Sequence, residues 1–150
     1  MRNELLQDIS LLLVDDSLDD IDFVKSLLEK FEKKHLYPHI SVAFCNTLDE
    51  AEKALATNNF NFILLDLYLD PEIKNIFQGL KLLVEKFPEI PIVVYSAVYS
   101  PEVVEEAIAV GAQDYIVKGL MKGEELARTI YHAKLRHNAS WKIHSLILAQ

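Results

Sequence analysis

Five short apolar runs alternate with segments of helical periodicity along this chain of 150 residues. The third run, F-I-L-L, covers Phe62 to Leu65 and leads straight into Asp66. A short continuous apolar run bounded by polar residues is typical of a strand that is buried on both faces, as in a parallel sheet. The alternation of such strands with helices therefore predicts an α/β domain whose crossovers are right-handed.

The predicted strands cover residues 10–14, 39–45, 62–65, 90–95 and 113–117, and each is followed by a predicted helix. Thr47 and Glu50 have the spacing of a capping box at the start of the second helix. Pro101 fits the first turn of the fourth helix, and Gly111 fits its C-terminal end. The last segment, from about Lys122, is predicted to be helical.

Composition and charge narrow the class of protein. Hydrophobic residues make up 51% of the chain, and no apolar run approaches the roughly 18 residues that span a bilayer. The N-terminus has no signal-peptide pattern, and the one cysteine, Cys45, cannot form an internal disulfide. The formal net charge of −8 disfavours non-specific binding to nucleic acid. We therefore expect one cytoplasmic domain that contacts neither membrane nor nucleic acid directly.

Reactive side chains follow four of the predicted strands. Asp15 and Asp16 follow the first strand, Asp66 the third, Ser96 the fourth and Lys118 the fifth. The carboxyl ends of parallel strands meet at one edge of a sheet, where ligands bind in open α/β sheets. We therefore expect three carboxylates, one hydroxyl and one ammonium group in a single cleft.

This set of groups suits a particular chemistry. Crowded carboxylates repel one another, so they hold a proton or recruit a cation, and Mg²⁺ prefers such oxygen ligands. A carboxylate can also accept a phosphoryl group as a nucleophile. Phosphoryl transfer depends mainly on positioning and charge neutralisation, which a metal ion and a lysine can supply. The strand ends thus predict phosphoryl transfer to a carboxylate.

Four motifs carry a resemblance to a known family. The chain contains, in this order, L-L-L-V-D-D-S, F-I-L-L-D-L-Y-L, V-V-Y-S-A and G-A-Q-D-Y-I-V-K. Their order and spacing over residues 8–136 resemble the receiver domain of bacterial two-component response regulators. The resemblance implies a flavodoxin-like, doubly wound, five-stranded parallel sheet of order 2-1-3-4-5 with helices on both faces. It also divides the chain into a receiver domain, residues 1–136, and a C-terminal helical extension, residues 137–150.

The resemblance assigns a role to each acidic residue. Asp66 is similar to the phosphoacceptor of the family. Asp15 and Asp16 are similar to its acidic pair, which binds Mg²⁺ or Mn²⁺ together with Asp66, and Asp16 is the more direct ligand. The backbone carbonyl of Tyr68 matches the third protein ligand of the metal. These roles are what the family resemblance implies.

The remaining site residues match the family's response to phosphorylation. Ser96 matches the switch hydroxyl, Lys118 the lysine that contacts the phosphoryl group, and Tyr115 the aromatic switch residue. The implied function is a stand-alone response regulator that receives its phosphoryl group from a sensor histidine kinase or a histidine phosphotransfer protein. It would signal by binding an output protein. It would not be an enzyme, although it would catalyse its own phosphorylation and dephosphorylation.

The sequence departs from the family pattern at three places. Gly79 lies thirteen residues after Asp66, so the loop at residues 70–78 is longer than usual; its apolar residues could cover the site, bind a partner or pack on the third helix. Gly119 replaces the family's proline after Lys118, and a trans peptide bond is therefore expected. Val98, like Tyr68, borders the site and could tune the lifetime of the phosphoryl group.

The extension leaves several alternatives open. Its apolar residues are too many for a free tail and could form a homodimer, fold back on the domain, or lead into a further region: Trp141, Ile143, Leu146, Ile147 and Leu148. A homodimer could also form through the face of the fourth helix, fifth strand and fifth helix. One alternative function is therefore an interaction module that dimerises without phosphorylation. A phosphatase with an aspartyl nucleophile is disfavoured, because D-D-S replaces the D-x-D pattern of such enzymes.

Overall fold

A computed structural model describes residues 7–32, 38–69 and 75–149 of the chain. Five strands alternate with five helices, as the sequence predicts. In chain order they are β1 (Ile9–Val14), α1 (Leu18–Glu32), β2 (Ile40–Cys45), α2 (Leu48–Thr57), β3 (Phe62–Leu65), α3 (Gln78–Lys86), β4 (Ile92–Ser96), α4 (Pro101–Val110), β5 (Asp114–Val117) and α5 (Gly123–Leu148).

The strands form one parallel sheet of order β2-β1-β3-β4-β5. Its register pairs Val14 with Leu65, Leu65 with Val94, and Ser96 with Val117. These paired residues are the last or nearly the last of their strands, so the carboxyl ends lie level along one edge. The predicted flavodoxin-like fold with strand order 2-1-3-4-5 is confirmed.

Alternate residues of the strands face two apolar layers. In β1, Leu11 and Leu13 pack into the layer that contains α1 and α5. Leu12 and Val14 face the opposite layer, which contains residues of α2, α3 and α4. Each fully buried leucine or valine contributes about 1.5–3 kcal/mol through the hydrophobic effect, so both layers stabilise the sheet. The predicted placement of helices on both faces is confirmed.

Local signals set the helix ends. The Glu50 N–H donates to Thr47 Oγ1 over 3.1 Å, and the Asn46 N–H donates to Glu50 Oε2 over 2.9 Å. The predicted cap of α2 is therefore present. Helix α3 begins at Gln78, and Gly79 in its first turn lies against the Leu48 side chain, where a Cβ atom would come within 2.7 Å.

Helix α5 is continuous from the domain into the extension. Its buried residues end at Lys134, and the helix then runs on to Leu148 as one element. At the base of the extension, His137 Nε2 lies 2.9 Å from the Pro88 carbonyl oxygen. Further along, Ile143 and Leu148 are 61% and 69% exposed. The described part of the extension therefore does not fold back to cover the core.

No helix in the described ranges combines the length and the apolar character that crossing a membrane requires.

Cys45, at the end of β2, is buried in the layer that contains α2 to α4, as expected for a core residue. Burial, with a smaller effect from the Glu50 charge, raises the pKa of its thiol to about 12. Since the thiolate is the reactive form, we expect iodoacetamide at pH 8 to leave Cys45 unmodified in the folded protein and to alkylate it in urea. Mass spectrometry measures both. Equal alkylation rates in the two states would contradict the burial of this thiol.

Candidate functional site

Carboxylates from two strand ends converge on one ammonium group. Asp15 follows β1, Asp66 follows β3, and Lys118 follows β5. Lys118 Nζ lies 2.8 Å from Asp15 Oδ2 and 3.2 Å from Asp66 Oδ2. Asp15 is fully buried, and Asp66 is 8% exposed. Carboxylates this buried need a partner, and Lys118 is the one that the sheet edge provides.

Backbone amides orient the two buried carboxylates. The Ser17 N–H donates to Asp15 Oδ1, and the Tyr68 N–H donates to Asp66 Oδ1, each over 2.9 Å. In both cases the amide belongs to the residue two positions further along, so the chain turns back on the carboxylate as it leaves the strand. One oxygen of each carboxylate is thereby fixed, and the other, Oδ2, faces Lys118.

Three of these acidic residues could hold a metal ion. Asp15, Asp16 and Asp66 each offer a carboxylate oxygen, and these oxygens lie within 4.8 Å of one another. Asp15 Oδ2 is buried and has no hydrogen-bond partner among the described residues, although it forms an ion pair with Lys118 Nζ at 2.8 Å. A buried carboxylate oxygen with a free lone pair suits a hard cation such as Mg²⁺ or Mn²⁺. These three carboxylates of the predicted ligand set could therefore hold a divalent ion.

Burial and charge act in opposite directions on these groups. Burial raises the pKa of Asp15, and Lys118 and the Ser17 amide oppose that rise without cancelling it. Burial alone would lower the pKa of Lys118, but its contacts with Asp15 and Asp20 and the charge of Asp66 raise it above its usual range. Lys118 therefore remains a cation at neutral pH, as charge neutralisation at this site requires.

Ser96 and Tyr115 are joined through one residue of the loop after β4. Ser96 is fully buried, and its Oγ accepts a hydrogen bond of 3.1 Å from the Val98 N–H. The Tyr115 hydroxyl donates to the carbonyl oxygen of the same Val98. Movement of Val98 would therefore affect both side chains at once. Their roles as switch residues stay predictions, as does the role of the Tyr68 carbonyl.

The turn after Lys118 has an ordinary peptide geometry. The described residues contain no cis peptide bond, so the expected trans bond between Lys118 and Gly119 is confirmed. Gly119 has a φ of +84°, in the left-handed region that glycine adopts without strain. A proline, whose φ is fixed at about −65°, could not adopt this conformation.

The long loop after β3 is only partly described. Residues 70–74, which include Ile73, lie outside the described residues, and so does that part of the predicted cover over the site. Ile76 and Phe77 pack against the core layer of α2 to α4, and Phe77 is buried. For these two residues, packing beside α3 is therefore the role that the structure supports.

Two contacts of Lys118 were not expected from the sequence. Asp20 Oδ2, in the first turn of α1, lies 2.7 Å from Lys118 Nζ. The ammonium also lies 5.4 Å from the centre of the buried Tyr95 ring, within the range of a cation–π interaction. The sequence indicates only that Asp20 suits the positive end of a helix. The sequence signal that could have indicated the contact with Lys118 is the position of Asp20, one helical turn after the Asp15–Asp16 pair.

Comparisons with solved structures agree with this fold. A response regulator from Thermotoga maritima has 21% identity and a TM-score of 0.72, with 85% of this chain and 98% of that chain covered. The receiver domain of NtrX from Brucella abortus has 26% identity and a TM-score of 0.69, covering 83% and 97%. The BeF3 activated DrrB receiver domain has 19% identity and a TM-score of 0.64, covering 85% and 97%.

No curated protein matches the sequence. At the level of families, residues 11–131 match the response regulator receiver domain. The match includes every residue of the site, from Asp15 to Lys118, and most of the fold. This chain therefore belongs to the family of response regulator receiver domains.

Proposed function

We propose that this chain accepts a phosphoryl group on Asp66, with Mg²⁺ bound, and signals by a change in protein binding. The observation that carries the proposal is the position of Lys118 Nζ, 3.2 Å from Asp66 Oδ2 and 2.8 Å from Asp15 Oδ2. It puts a permanent positive charge beside the carboxylate that would be phosphorylated. Asp15, Asp16, Asp66 and the Tyr68 carbonyl are the proposed ligands of Mg²⁺ or Mn²⁺.

The proposed reaction transfers a phosphoryl group from a phosphohistidine. A carboxylate oxygen of Asp66 attacks phosphorus, the P–N bond breaks, and the imidazole nitrogen keeps the electron pair and takes a proton from solvent. Lys118 neutralises charge on the phosphoryl oxygens, and a bound divalent ion supplies further neutralisation. Because one oxygen of Asp66 is held by the Tyr68 amide, the carboxylate meets the donor already oriented.

The phosphoryl group then becomes a partner for the Ser96 hydroxyl. A new hydrogen bond from Ser96 would bias the position of Val98, which already contacts both Ser96 and Tyr115. Signalling would follow as a shift between two arrangements of the face formed by β4, α4, β5 and α5. The donor in this scheme is a sensor histidine kinase or a histidine phosphotransfer protein, and the receiver of the signal is an output protein.

The chain would not be a conventional enzyme in this role. Both phosphorylation and dephosphorylation would take place on its own Asp66, so the chain would modify itself rather than a separate substrate. The proposal places the chain in the cytoplasm and gives it no direct contact with nucleic acid or membrane. The net charge of −8 supports the absence of non-specific nucleic-acid binding.

Fluoroberyllate is a suitable probe, because the related DrrB receiver domain is described as BeF3 activated. We expect it to raise the melting temperature in the presence of Mg²⁺, since a ligand at one hundred times its Kd stabilises a fold by about 2.7 kcal/mol. Light scattering on the same samples gives the molecular mass and so shows whether fluoroberyllate changes the oligomeric state. No change in melting temperature with Mg²⁺ and fluoroberyllate would contradict the proposal.

The exposed part of α5 favours a second function. Ile143, Leu146 and Ile147 are each more than three-fifths exposed, which is unusual for large apolar side chains on one helix. They support an interaction module that forms a homodimer, through α5 or through the face that α4, β5 and α5 share, without phosphorylation. A dimer that forms without Mg²⁺ and ignores fluoroberyllate would favour this function over the first.

We propose residues 1–136 as the receiver domain and residues 137–150 as the extension. Removing residues 138–150 keeps every buried residue of α5 and the contact of His137 with Pro88. We therefore expect the shortened chain to fold and to bind Mg²⁺ and fluoroberyllate with unchanged affinity. Calorimetric titration beside the full chain checks both ligands. If the shortened chain unfolded, the extension would contribute to the stability of the domain, and the proposed boundary would be wrong.

A further inference from the structure

Among the acidic residues that the structure describes at the site, Asp20 is the one to which the proposed function gives no role. Its Oδ2 atom lies 2.7 Å from Lys118 Nζ and accepts a hydrogen bond from it. The Asp20 side chain is 34% exposed, while that of Lys118 is only 12% exposed. Asp20 is therefore the more exposed partner of the ammonium group, whereas Asp15 is fully buried.

The start of α1 fixes the position of Asp20. The Asp20 N–H donates to Ser17 Oγ over 3.2 Å, which forms the cap of the helix. The Ser17 N–H in turn donates to Asp15 Oδ1 over 2.9 Å. The turn that orients the buried Asp15 carboxylate thus also places the Asp20 carboxylate one helical turn later. Asp20 reaches Lys118 as part of the same local structure.

Asp20 changes the charge balance of the site. Four carboxylates and one ammonium group give a formal charge of −3: Asp15, Asp16, Asp20, Asp66 and Lys118. The added negative charge attracts a cation and opposes an anion. The Asp20 carboxylate also accepts a hydrogen bond from Lys118. It thereby competes for the ammonium group with a phosphoryl oxygen on Asp66.

We propose that Asp20 is a positioning residue that holds Lys118 and thereby tunes the site, strengthening the binding of a divalent cation and weakening that of a phosphoryl group. The inference rests on the proposed function, since it concerns the same site. Its particular consequence is that loss of the Asp20 charge shifts two affinities in opposite directions. If the substitution only disrupted local structure, the protein would bind both ligands more weakly.

The test is Asp20→Asn, which keeps the size of the side chain and removes its charge. We expect the Kd for Mg²⁺ to rise about threefold to fivefold, as for a partly exposed ion pair. At saturating Mg²⁺, we expect the Kd for fluoroberyllate to fall by a similar factor. Isothermal titration of each ligand measures both values on the full chain.

Asp19→Asn is the matched control, because it removes the same charge from the same turn of α1. Asp19 is exposed, and in the described residues the ion pairs of Lys118 are with Asp15, Asp20 and Asp66. We expect its two shifts to be less than half as large. Asp20→Glu, which restores the charge, should return both affinities toward those of the parent protein.

The outcomes separate this inference from the proposed function. If the parent protein binds fluoroberyllate and Asp20→Asn binds both ligands as the parent does, the role of Asp20 is refuted and the proposed function stands. Weaker binding of both ligands by Asp20→Asn also refutes it. If the parent itself fails to bind fluoroberyllate with Mg²⁺, the proposed function is refuted and the inference falls with it.

Discussion

Asp66→Asn should lower the rate of phosphoryl labelling by a small-molecule phosphodonor at least about 100-fold, as expected when the nucleophile is removed. An amide is not a nucleophile at neutral pH, so the step that forms the O–P bond is lost. The substitution keeps the shape of the side chain and an oxygen that can accept from the Tyr68 N–H, so the fold should persist. Phosphoryl uptake is measured by intact-protein mass spectrometry in the presence of Mg²⁺.

The matched control for this prediction is Asp49→Asn. Asp49 lies in the first turn of α2, which follows β2 at the same edge of the sheet, but it is not one of the three clustered carboxylates that could hold a metal ion. Its substitution changes the net charge equally and should leave the labelling rate within about twofold of the parent, as for a surface change away from such a site. Labelling of Asp66→Asn at the rate of Asp49→Asn would show that another residue accepts the phosphoryl group.

Lys118→Met should have two separate effects. Among the described residues, Lys118 is the only cation that contacts the buried Asp15 and Asp66 carboxylates. Without Mg²⁺, its loss should lower the free energy of unfolding by about 3 kcal/mol, because buried negative charge is left uncompensated. The rate of phosphoryl transfer should fall about 100-fold, as when one group that stabilises charge in a transition state is removed. Urea unfolding and labelling rates measure the two effects.

Mg²⁺ separates the two effects of Lys118→Met. We expect saturating Mg²⁺ to restore most of the lost stability but little of the transfer rate, because the ion replaces the missing charge without replacing the contact to the phosphoryl group. Lys86→Met removes a surface ion pair with Glu52 and should change stability by no more than about 0.5 kcal/mol. If Lys118→Met matched Lys86→Met in stability, the buried charges would not depend on Lys118.

The fold was predictable because its elements carry local signals. The run from Phe62 to Leu65 is too short for a helix and too apolar for a loop, and every one of its residues is buried in β3. Thr47 and Gly111 mark helix ends through side-chain and backbone chemistry that acts within a few residues. Strand order depends on contacts between distant segments, and here it came from the family resemblance.

The limits of these signals are visible at the strand and helix ends. Strand β4 begins at Ile92 rather than at Ile90, because Pro91 has no N–H to donate and takes part only through its carbonyl, which accepts from Ile63. The prediction of a helix from about Lys122 is confirmed by α5, but periodicity alone does not show whether the apolar residues at its far end are covered. The structure shows that this part of α5 lies beyond the domain core.

The candidate site was predictable only in part, for a related reason. Asp15, Asp66 and Lys118 follow strands, so the topology of a parallel sheet brings them to one edge. Asp20 follows no strand, and its contact with Lys118 joins residues 98 positions apart in the chain. That contact depends on the direction in which α1 runs after β1, and no local sequence pattern predicts this direction. The contact between Lys118 and the Tyr95 ring could not be predicted for the same reason, because it also depends on packing.

The central claim is that Asp66 is the phosphoacceptor, and locating the acyl phosphate tests it most directly. The protein is treated with a small-molecule phosphodonor, with or without Mg²⁺, and then with borohydride, which reduces a phosphorylated aspartate to homoserine. Peptide mass spectrometry locates the converted residue. The account predicts homoserine at position 66 alone, and only with Mg²⁺. Homoserine at another position, or none in any sample, would contradict it.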